Sequence, residues 1–112
     1  MIRESFAQLP CPKKPVSTLD LEGCSERSLV ASDGKVNALV ARIWQALPAT
    51  GRADFARGER AWLAYRTASC NAEASKYAGG TLRPVAFLGC EVGRNKTHLT
   101  DLGGTLNVLT HP

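Results

Sequence analysis

Two long stretches of this sequence repeat mainly apolar side chains at steps of three and four residues, and this spacing constrains the fold most. In the first stretch the repeat comprises Leu29, Asp33, Val36, Val40, Ile43 and Leu47. In the second stretch it comprises Phe55, Glu59, Trp62, Arg66, Cys70, Glu73 and Tyr77. Such steps place side chains on one face of an α-helix. No alternation typical of β-strands extends over a useful length, and the pattern therefore predicts an all-α protein.

Capping and helix-breaking residues predict the bounds of the first helix. Ser17 or Thr18 can cap its start, because a hydroxyl accepts hydrogen bonds from the unpaired N–H groups there. Pro48 closes the helix, and we expect residues 49–52 to form the turn that follows. The second helix then runs back along the first. The sequence predicts a long antiparallel helical hairpin.

Glycines and a proline predict where the third helix lies. Residues 78–81 include Gly79 and Gly80 and end the second helix, as glycines after a helix C-terminus do. Pro84 suits the first turn of a third helix. We expect this helix to end near residue 102, because two glycines follow. The predicted fold is therefore the hairpin plus a third helix.

The length and composition define one domain with short flanking segments. The chain has 112 residues, of which 44% are hydrophobic and 21% charged, and it is long enough for one modest core. We expect an extended N-terminal segment at 1–16, a helical domain at 17–102 and a flexible tail at 103–112. No apolar run approaches the roughly 18 residues of a membrane span.

The charge balance permits an acidic partner without requiring one. Lys and Arg total 14 against 10 for Asp and Glu, which gives a net charge of +4. The basic residues are dispersed among acidic ones and form no stripe with stacking aromatics, so we expect no nucleic-acid binding.

Four cysteines stand at wide spacing, and they are Cys11, Cys24, Cys70 and Cys90. Zinc ligands usually come in close pairs such as C-x-x-C, and no such pair occurs, so we expect no metal site and no cofactor. An even number in a short chain favours two disulfides and an oxidising compartment, although four reduced, buried thiols would also fit. Spacing alone leaves three connectivities open.

Asp33 and Arg66 are charged residues with apolar neighbours on their helix faces, Leu29 and Val36 for Asp33, and Trp62 and Cys70 for Arg66. In an antiparallel hairpin that turns near residue 50, these two positions lie close together. A lone buried charge is costly, whereas a paired one is tolerated. We therefore predict an Asp33–Arg66 ion pair that fixes the register of the hairpin. A catalytic role for Asp33 is the less favoured interpretation, because no second carboxylate or nucleophile converges on it in the pattern.

Several of these residues together resemble the lysozyme inhibitor LprI-like family, a group of small exported bacterial helical domains. The resemblance spans 11–102 and rests most strongly on a W-L-x-Y-R-x-x-x-C block. Its motif residues include Cys24, Asp33, Asn37, Trp62, Tyr65, Arg66, Cys70, Gly79, Gly80 and Cys90. The resemblance implies export to the periplasm or cell surface, with the signal peptide absent from this chain. It also implies two disulfides and favours the sequence-local pairing, Cys11–Cys24 and Cys70–Cys90.

The resemblance implies a protein-binding domain that inhibits lysozyme and is not an enzyme. A glycosidase cleft holds two carboxylates, so an exposed guanidinium could occupy it. Arg52, Arg57 and Arg83 are the candidate partner-binding residues, although for each of them an ordinary solvated surface charge is the more favoured interpretation. An alternative is an immunity-like or scaffold protein that binds another periplasmic partner. A small enzyme is less expected, because no catalytic motif is present.

Overall fold

The computed structural model describes residues 1–6 and 8–111, and it contains three long helices. Helix α1 comprises Thr18–Ala46, α2 comprises Ala49–Ala74 and α3 comprises Arg83–Thr110, with a short 3₁₀ helix at Ser75–Tyr77. No strand occurs in the described part of the chain. None of its helices combines the length and apolarity that a membrane crossing requires. The all-α prediction is confirmed.

Helix α1 begins where the capping residue predicted. The Ser17 hydroxyl accepts a hydrogen bond from the backbone N–H of Asp20, and the Asp20 carboxylate accepts one from the backbone N–H of Ser17. This reciprocal capping box satisfies N–H groups that have no partner within the helix.

The connection between α1 and α2 is shorter than expected, and the predicted turn at 49–52 is wrong. Leu47 and Pro48 both adopt extended backbone conformations, with ψ of 141° and 152°. Two consecutive extended residues are enough to reverse the chain, so α2 begins at Ala49. The two helices thus form the arms of the predicted hairpin.

Helix α3 is longer than predicted, and its expected end near residue 102 is wrong. The helix continues to Thr110, through Gly103 and Gly104. Leu106 and Leu109 pack against the hydrophobic core in these last turns. Their burial offsets the cost of the two glycines, which is about 1 kcal/mol each relative to alanine.

The third helix packs along α1 and also contacts α2, whereas α1 and α2 contact each other little. The central apolar cluster consists of Val36 and Ile43 from α1 and Leu102 from α3. Beyond their short connection the two arms therefore diverge, and α3 joins them on one side. On the other side they leave a cleft, which is described with the site below.

Both disulfides have the pairing that the family resemblance implied. Cys11 is bonded to Cys24, and Cys70 is bonded to Cys90, with Cα–Cα distances of 4.6 and 5.5 Å. The first bond ties the N-terminal segment to α1, and the second ties α2 to α3. The prediction of two sequence-local disulfides is confirmed.

The N-terminal segment, residues 1–6 and 8–16, forms no helix or strand but is attached to α1 at several points. The Asn37 side chain accepts a hydrogen bond from the backbone N–H of Ile2 at 2.8 Å and donates one to its carbonyl at 3.1 Å. Glu26 accepts a hydrogen bond from the backbone N–H of Leu9 at 2.7 Å. The segment therefore lies along the helical hairpin.

Candidate functional site

A buried charge cluster lies at the centre of the molecule, where all three helices and the N-terminal segment meet. The guanidinium of Arg66 donates a hydrogen bond to Asp33 Oδ1 at 2.8 Å and another to Glu4 Oε2 at 3.0 Å. The Arg66 side chain is only 3% exposed. The structure thus places Asp33 and Arg66 in the contact that the sequence predicted, and adds a carboxylate from the N-terminal segment.

Helix α3 contributes the remaining members of this cluster. Glu91 Oε2 lies 3.0 Å from Arg66 Nε, an ion-pair distance at which the N–H is not aligned for a hydrogen bond. Asn95 accepts a hydrogen bond from Arg66 and donates one to Asp33, at 3.1 and 2.9 Å. One guanidinium from α2 therefore contacts three carboxylates and one amide, which come from the N-terminal segment, α1 and α3.

The excess of carboxylates changes their proton affinities. Burial and the neighbouring Asp33 raise the pKa of Glu4 to about 7, against the opposing effect of Arg66. Burial likewise raises the pKa of Glu91, although the charge of Arg66 opposes it. Burial lowers the pKa of Arg66, but the surrounding carboxylates outweigh it and the pKa is raised overall. Arg66 therefore stays charged, while Glu4 can hold a proton near neutral pH.

Sequence reasoning missed Glu4, Glu91 and Asn95, and a signal existed for two of them. The buried face of α3 consists of Leu88, Glu91, Asn95, His98 and Leu102. These positions follow one another at steps of 3, 4, 3 and 4, which is a helical face. Three of the five residues are polar, so a search for apolar periodicity passes over them. Nothing local in the sequence marks Glu4.

Trp62 and His98 form a second contact between α2 and α3. Their rings stack with centroids 3.7 Å apart and planes within 7° of parallel. His98 Nε2 also lies 2.8 Å from a carboxylate oxygen of Glu59. Trp62, a residue of the family motif, thus helps to hold α3 against α2.

The other motif residues occupy different places. Asn37 holds the N-terminal segment, as described above. Tyr65 is 55% exposed, with the guanidinium of Arg94 5.9 Å from its ring centre. Gly79 has φ of +79°, a backbone conformation that side chains other than glycine rarely adopt, and Gly80 follows it in the same turn.

The three candidate partner-binding arginines lie in two separate places. Arg52 and Arg57 belong to the first turns of α2, whereas Arg83 at the start of α3 donates a hydrogen bond to Asn71 near the end of α2. At a rise of about 1.5 Å per residue, Arg57 and Asn71 are about 20 Å apart along the helix. A single narrow cleft in a partner therefore cannot receive both Arg57 and Arg83.

A cleft of about 540 Å³ opens between the diverging arms of the hairpin. Its walls are mainly apolar and include Ile2, Val40, Trp44, Phe55, Trp62 and Leu63. Met1 and Ile2 of the N-terminal segment lie at this cleft, and Asn37, which holds Ile2, is part of its wall.

The chemically reactive side chains at these places are largely engaged with one another. In the Arg66 cluster, Asp33, Arg66, Glu91 and Asn95 are buried and hold one another, whereas Glu4 is partly exposed. Among the described residues, one group has the composition of a metal site, namely Cys70, Glu73 and Cys90, and its two sulfur atoms are joined in a disulfide. The fold and its two disulfides define a disulfide-braced, all-α domain.

Comparison with known proteins identifies the family. The family model described as lysozyme inhibitor LprI matches residues 11–102, and this chain belongs to that family. An uncharacterized protein of Rhizobium meliloti (strain 1021), R02472, is 31% identical over 108 residues, which cover 81% of this chain and 78% of the relative. No solved structure matches the chain.

Proposed function

We propose that this chain is an exported protein-binding domain that inhibits a lysozyme. The observation that carries the proposal is the family match, which extends over residues 11–102 and thus over α1, α2 and most of α3. Two disulfides support export, because disulfides form and persist in oxidising compartments such as the bacterial periplasm. The activity is binding and not catalysis, in keeping with an inhibitor family.

Among the three candidate arginines, Arg57 is the one we propose to enter the lysozyme cleft. Its side chain is 70% exposed, and within residues 1–6 and 8–111 its one ion-pair partner is Asp54, which is 76% exposed. Such surface ion pairs contribute about 0–1 kcal/mol, so little is lost when the guanidinium changes partner. The catalytic carboxylates of a glycosidase offer that new partner.

Arg52 and Arg83 are less available than Arg57. Arg52 donates a hydrogen bond to the carbonyl of Trp44 at 3.0 Å, and its guanidinium lies 5.3 Å from the centre of the Trp44 ring. Arg83 donates a hydrogen bond to Asn71 at 3.1 Å. Both guanidinium groups would have to leave existing partners within this chain.

The test is the lysis of a bacterial cell-wall suspension by c-type lysozyme in the presence of the purified, oxidised protein. We expect the lysis rate to fall with protein concentration and to approach zero at stoichiometric excess. Arg57→Ala should weaken inhibition by about 30-fold, the scale of an interface arginine worth about 2 kcal/mol. Arg83→Ala is the matched control, because Arg83 begins α3 and contacts the other end of α2 through Asn71. This variant should inhibit like the parent.

Two results would contradict the proposal at different levels. An unchanged lysis rate at excess folded protein would remove lysozyme inhibition itself. Inhibition that survives Arg57→Ala but not Arg83→Ala would keep the function and move the contact to the opposite end of the molecule. Circular dichroism of each variant establishes that it is folded.

An immunity-like or scaffold protein with another periplasmic partner is the second candidate, and the net charge favours it. The chain carries +4, and c-type lysozymes are typically basic, so long-range repulsion slows their association. An acidic partner would not meet this repulsion. Capture of an acidic periplasmic protein by the immobilised chain, together with a negative lysis assay, would support this candidate.

A further inference from the structure

The cleft between α1 and α2 contains an unusual share of the aromatic side chains of this protein. The sequence has only two Trp, three Phe and two Tyr. Both tryptophans and Phe55 line the cleft, and Trp44 remains 38% exposed. Leaving large apolar side chains open to water costs about 25 cal/mol for each Å² of apolar surface, which a bound apolar group would recover.

The dimensions of the cleft suit a small molecule. Its volume of about 540 Å³ lies within the range of about 300–1,000 Å³ that is typical of small-molecule sites. Helices form its two long walls, and the N-terminal segment contributes Met1 and Ile2. A concave site of this kind encloses a slender apolar chain better than a flat protein surface would.

The charged residues of the cleft favour an anion. Arg60 lines it, and no hydrogen bond or ion pair engages the Arg60 side chain within residues 1–6 and 8–111. Glu59 is the acidic residue of the lining, but both of its carboxylate oxygens lie within 3.1 Å of His98 Nε2. The guanidinium of Arg60 is therefore a cationic group that is available to a ligand.

We propose that this cleft binds an anionic amphiphile, a molecule with one apolar chain and one acidic head group. The apolar chain of the ligand lies between Val40, Trp44, Phe55 and Leu63. Its acidic head group pairs with Arg60 at the edge of the cleft. This binding goes beyond the proposed inhibition of lysozyme and is independent of it, because Arg57 is not among the residues that line the cleft.

Titration of the intact, oxidised protein with dodecanoate, below its micelle concentration, tests the proposal. Both tryptophans line the cleft, so their fluorescence reports binding directly, and calorimetry gives the stoichiometry. We expect saturable binding of one dodecanoate per chain. Dodecyltrimethylammonium has the same chain with a cationic head and should bind at least about fivefold more weakly, since its charge is repelled by Arg60.

Three variants separate the head-group contact from general charge effects. Arg60→Gln should weaken dodecanoate binding by about three- to fivefold, the scale of a partly exposed ion pair. Arg42→Gln removes an exposed arginine of α1 that does not line the cleft, and should leave the affinity within about 1.5-fold. Ala41→Phe adds bulk at an exposed position of the lining and should weaken binding by more than tenfold without unfolding the protein.

The proposal is overturned if dodecanoate gives no saturable signal, or if the cationic amphiphile binds equally well. Equal effects of Arg60→Gln and Arg42→Gln would also overturn it, because they would leave only the net charge as the cause. A cleft that binds neither amphiphile but is covered when a protein partner is bound would be a protein interface instead. Hydrogen exchange of the α1 and α2 amides detects that outcome.

Discussion

The guanidinium of Arg66 lies among carboxylates that come from the N-terminal segment, α1 and α3. Asp33, Glu4 and Glu91 all lie within 3.0 Å of its nitrogen atoms. A buried ion cluster is tolerated only while its charges remain paired. Arg66 is the single positive charge of the cluster, and so it is the member whose loss leaves the most buried charge unpaired.

Substitution of Arg66 should therefore destabilise the protein more than substitution of Asp33. Arg66→Met leaves three buried carboxylates without a cation and should lower the free energy of unfolding by about 3–5 kcal/mol. Asp33→Asn leaves Arg66 paired with Glu4 and Glu91 and should cost about 1–2 kcal/mol. Urea unfolding of both variants measures the difference, and an equal or larger loss for Asp33→Asn would contradict this account of the cluster.

Glu4 gives the stability of the protein a dependence on pH. The folded state raises its pKa from 4.5 to about 7, so the folded state binds the proton more tightly than the unfolded state does. The resulting stabilisation is fully present below pH 4.5 and is lost as the pH rises through about 7. Ionisation of Glu4 at higher pH adds a negative charge to a cluster in which the carboxylates already outnumber the single cation, Arg66.

The variant Glu4→Gln should remove this part of the pH dependence. Between pH 5 and pH 8, the free energy of unfolding of the parent should fall by on the order of 2 kcal/mol more than that of the variant, at about 1.36 kcal/mol per pKa unit. Burial, Arg66 and Asp33 shift the pKa of Glu91, and Glu4 does not contribute, so we expect Glu91 to affect both pH profiles alike. Parallel pH profiles for the two proteins would show that Glu4 ionises normally in the folded state.

At the scale of the helices, the sequence contained enough information for the elements but not for all of their ends. The three- and four-residue steps of α1 and α2 predicted both helices, since these faces are mainly apolar. The predicted end of α3 was wrong because the low helix propensity of Gly103 and Gly104 is a local property. The packing of Leu106 and Leu109 against the core, which extends the helix, depends on the tertiary fold. The polar face of α3 was missed for a related reason, as its burial depends on partners distant in sequence.

Two glycines illustrate the same contrast between local propensity and tertiary context. Gly104 lies in α3 with open space around the position of a Cβ atom, whereas a Cβ atom on Gly23 in α1 would overlap the carbonyl oxygen of Pro10. Gly104→Ala should therefore stabilise the protein by about 0.5–1 kcal/mol. Gly23→Ala should destabilise it by displacing the N-terminal segment.

Thermal unfolding of these two single variants provides the measurement. We expect the midpoint Tm to rise for Gly104→Ala and to fall for Gly23→Ala. A fall for Gly104→Ala would show that the last turns of α3 are not helical in solution.

At the scale of the whole molecule, the protein is elongated for its length. Its extents are 50 × 29 × 21 Å and its radius of gyration is 16.0 Å, compared with about 13 Å for a compact domain of this size. An elongated shape leaves a small core, and seven apolar residues are buried within the described part of the chain. The two disulfides compensate, at about 3 kcal/mol each in the chain-entropy model.

The candidate site was less predictable from sequence than the fold. The cysteines and the family motif indicated a disulfide-braced domain, because cysteines and motif residues can be recognised in the amino-acid sequence itself. The cleft was not predicted, since it arises from the divergence of α1 and α2 once α3 packs along α1. The separation of Arg57 from Arg83 likewise depends on their places in the folded molecule.

Isothermal titration of the oxidised protein into c-type lysozyme tests the central claim most directly, because it measures the proposed partnership itself. The account predicts saturable binding with one chain per lysozyme and an affinity that Arg57→Ala lowers by about 30-fold. The absence of saturable binding heat at several temperatures, with folded and oxidised protein in excess, would contradict it.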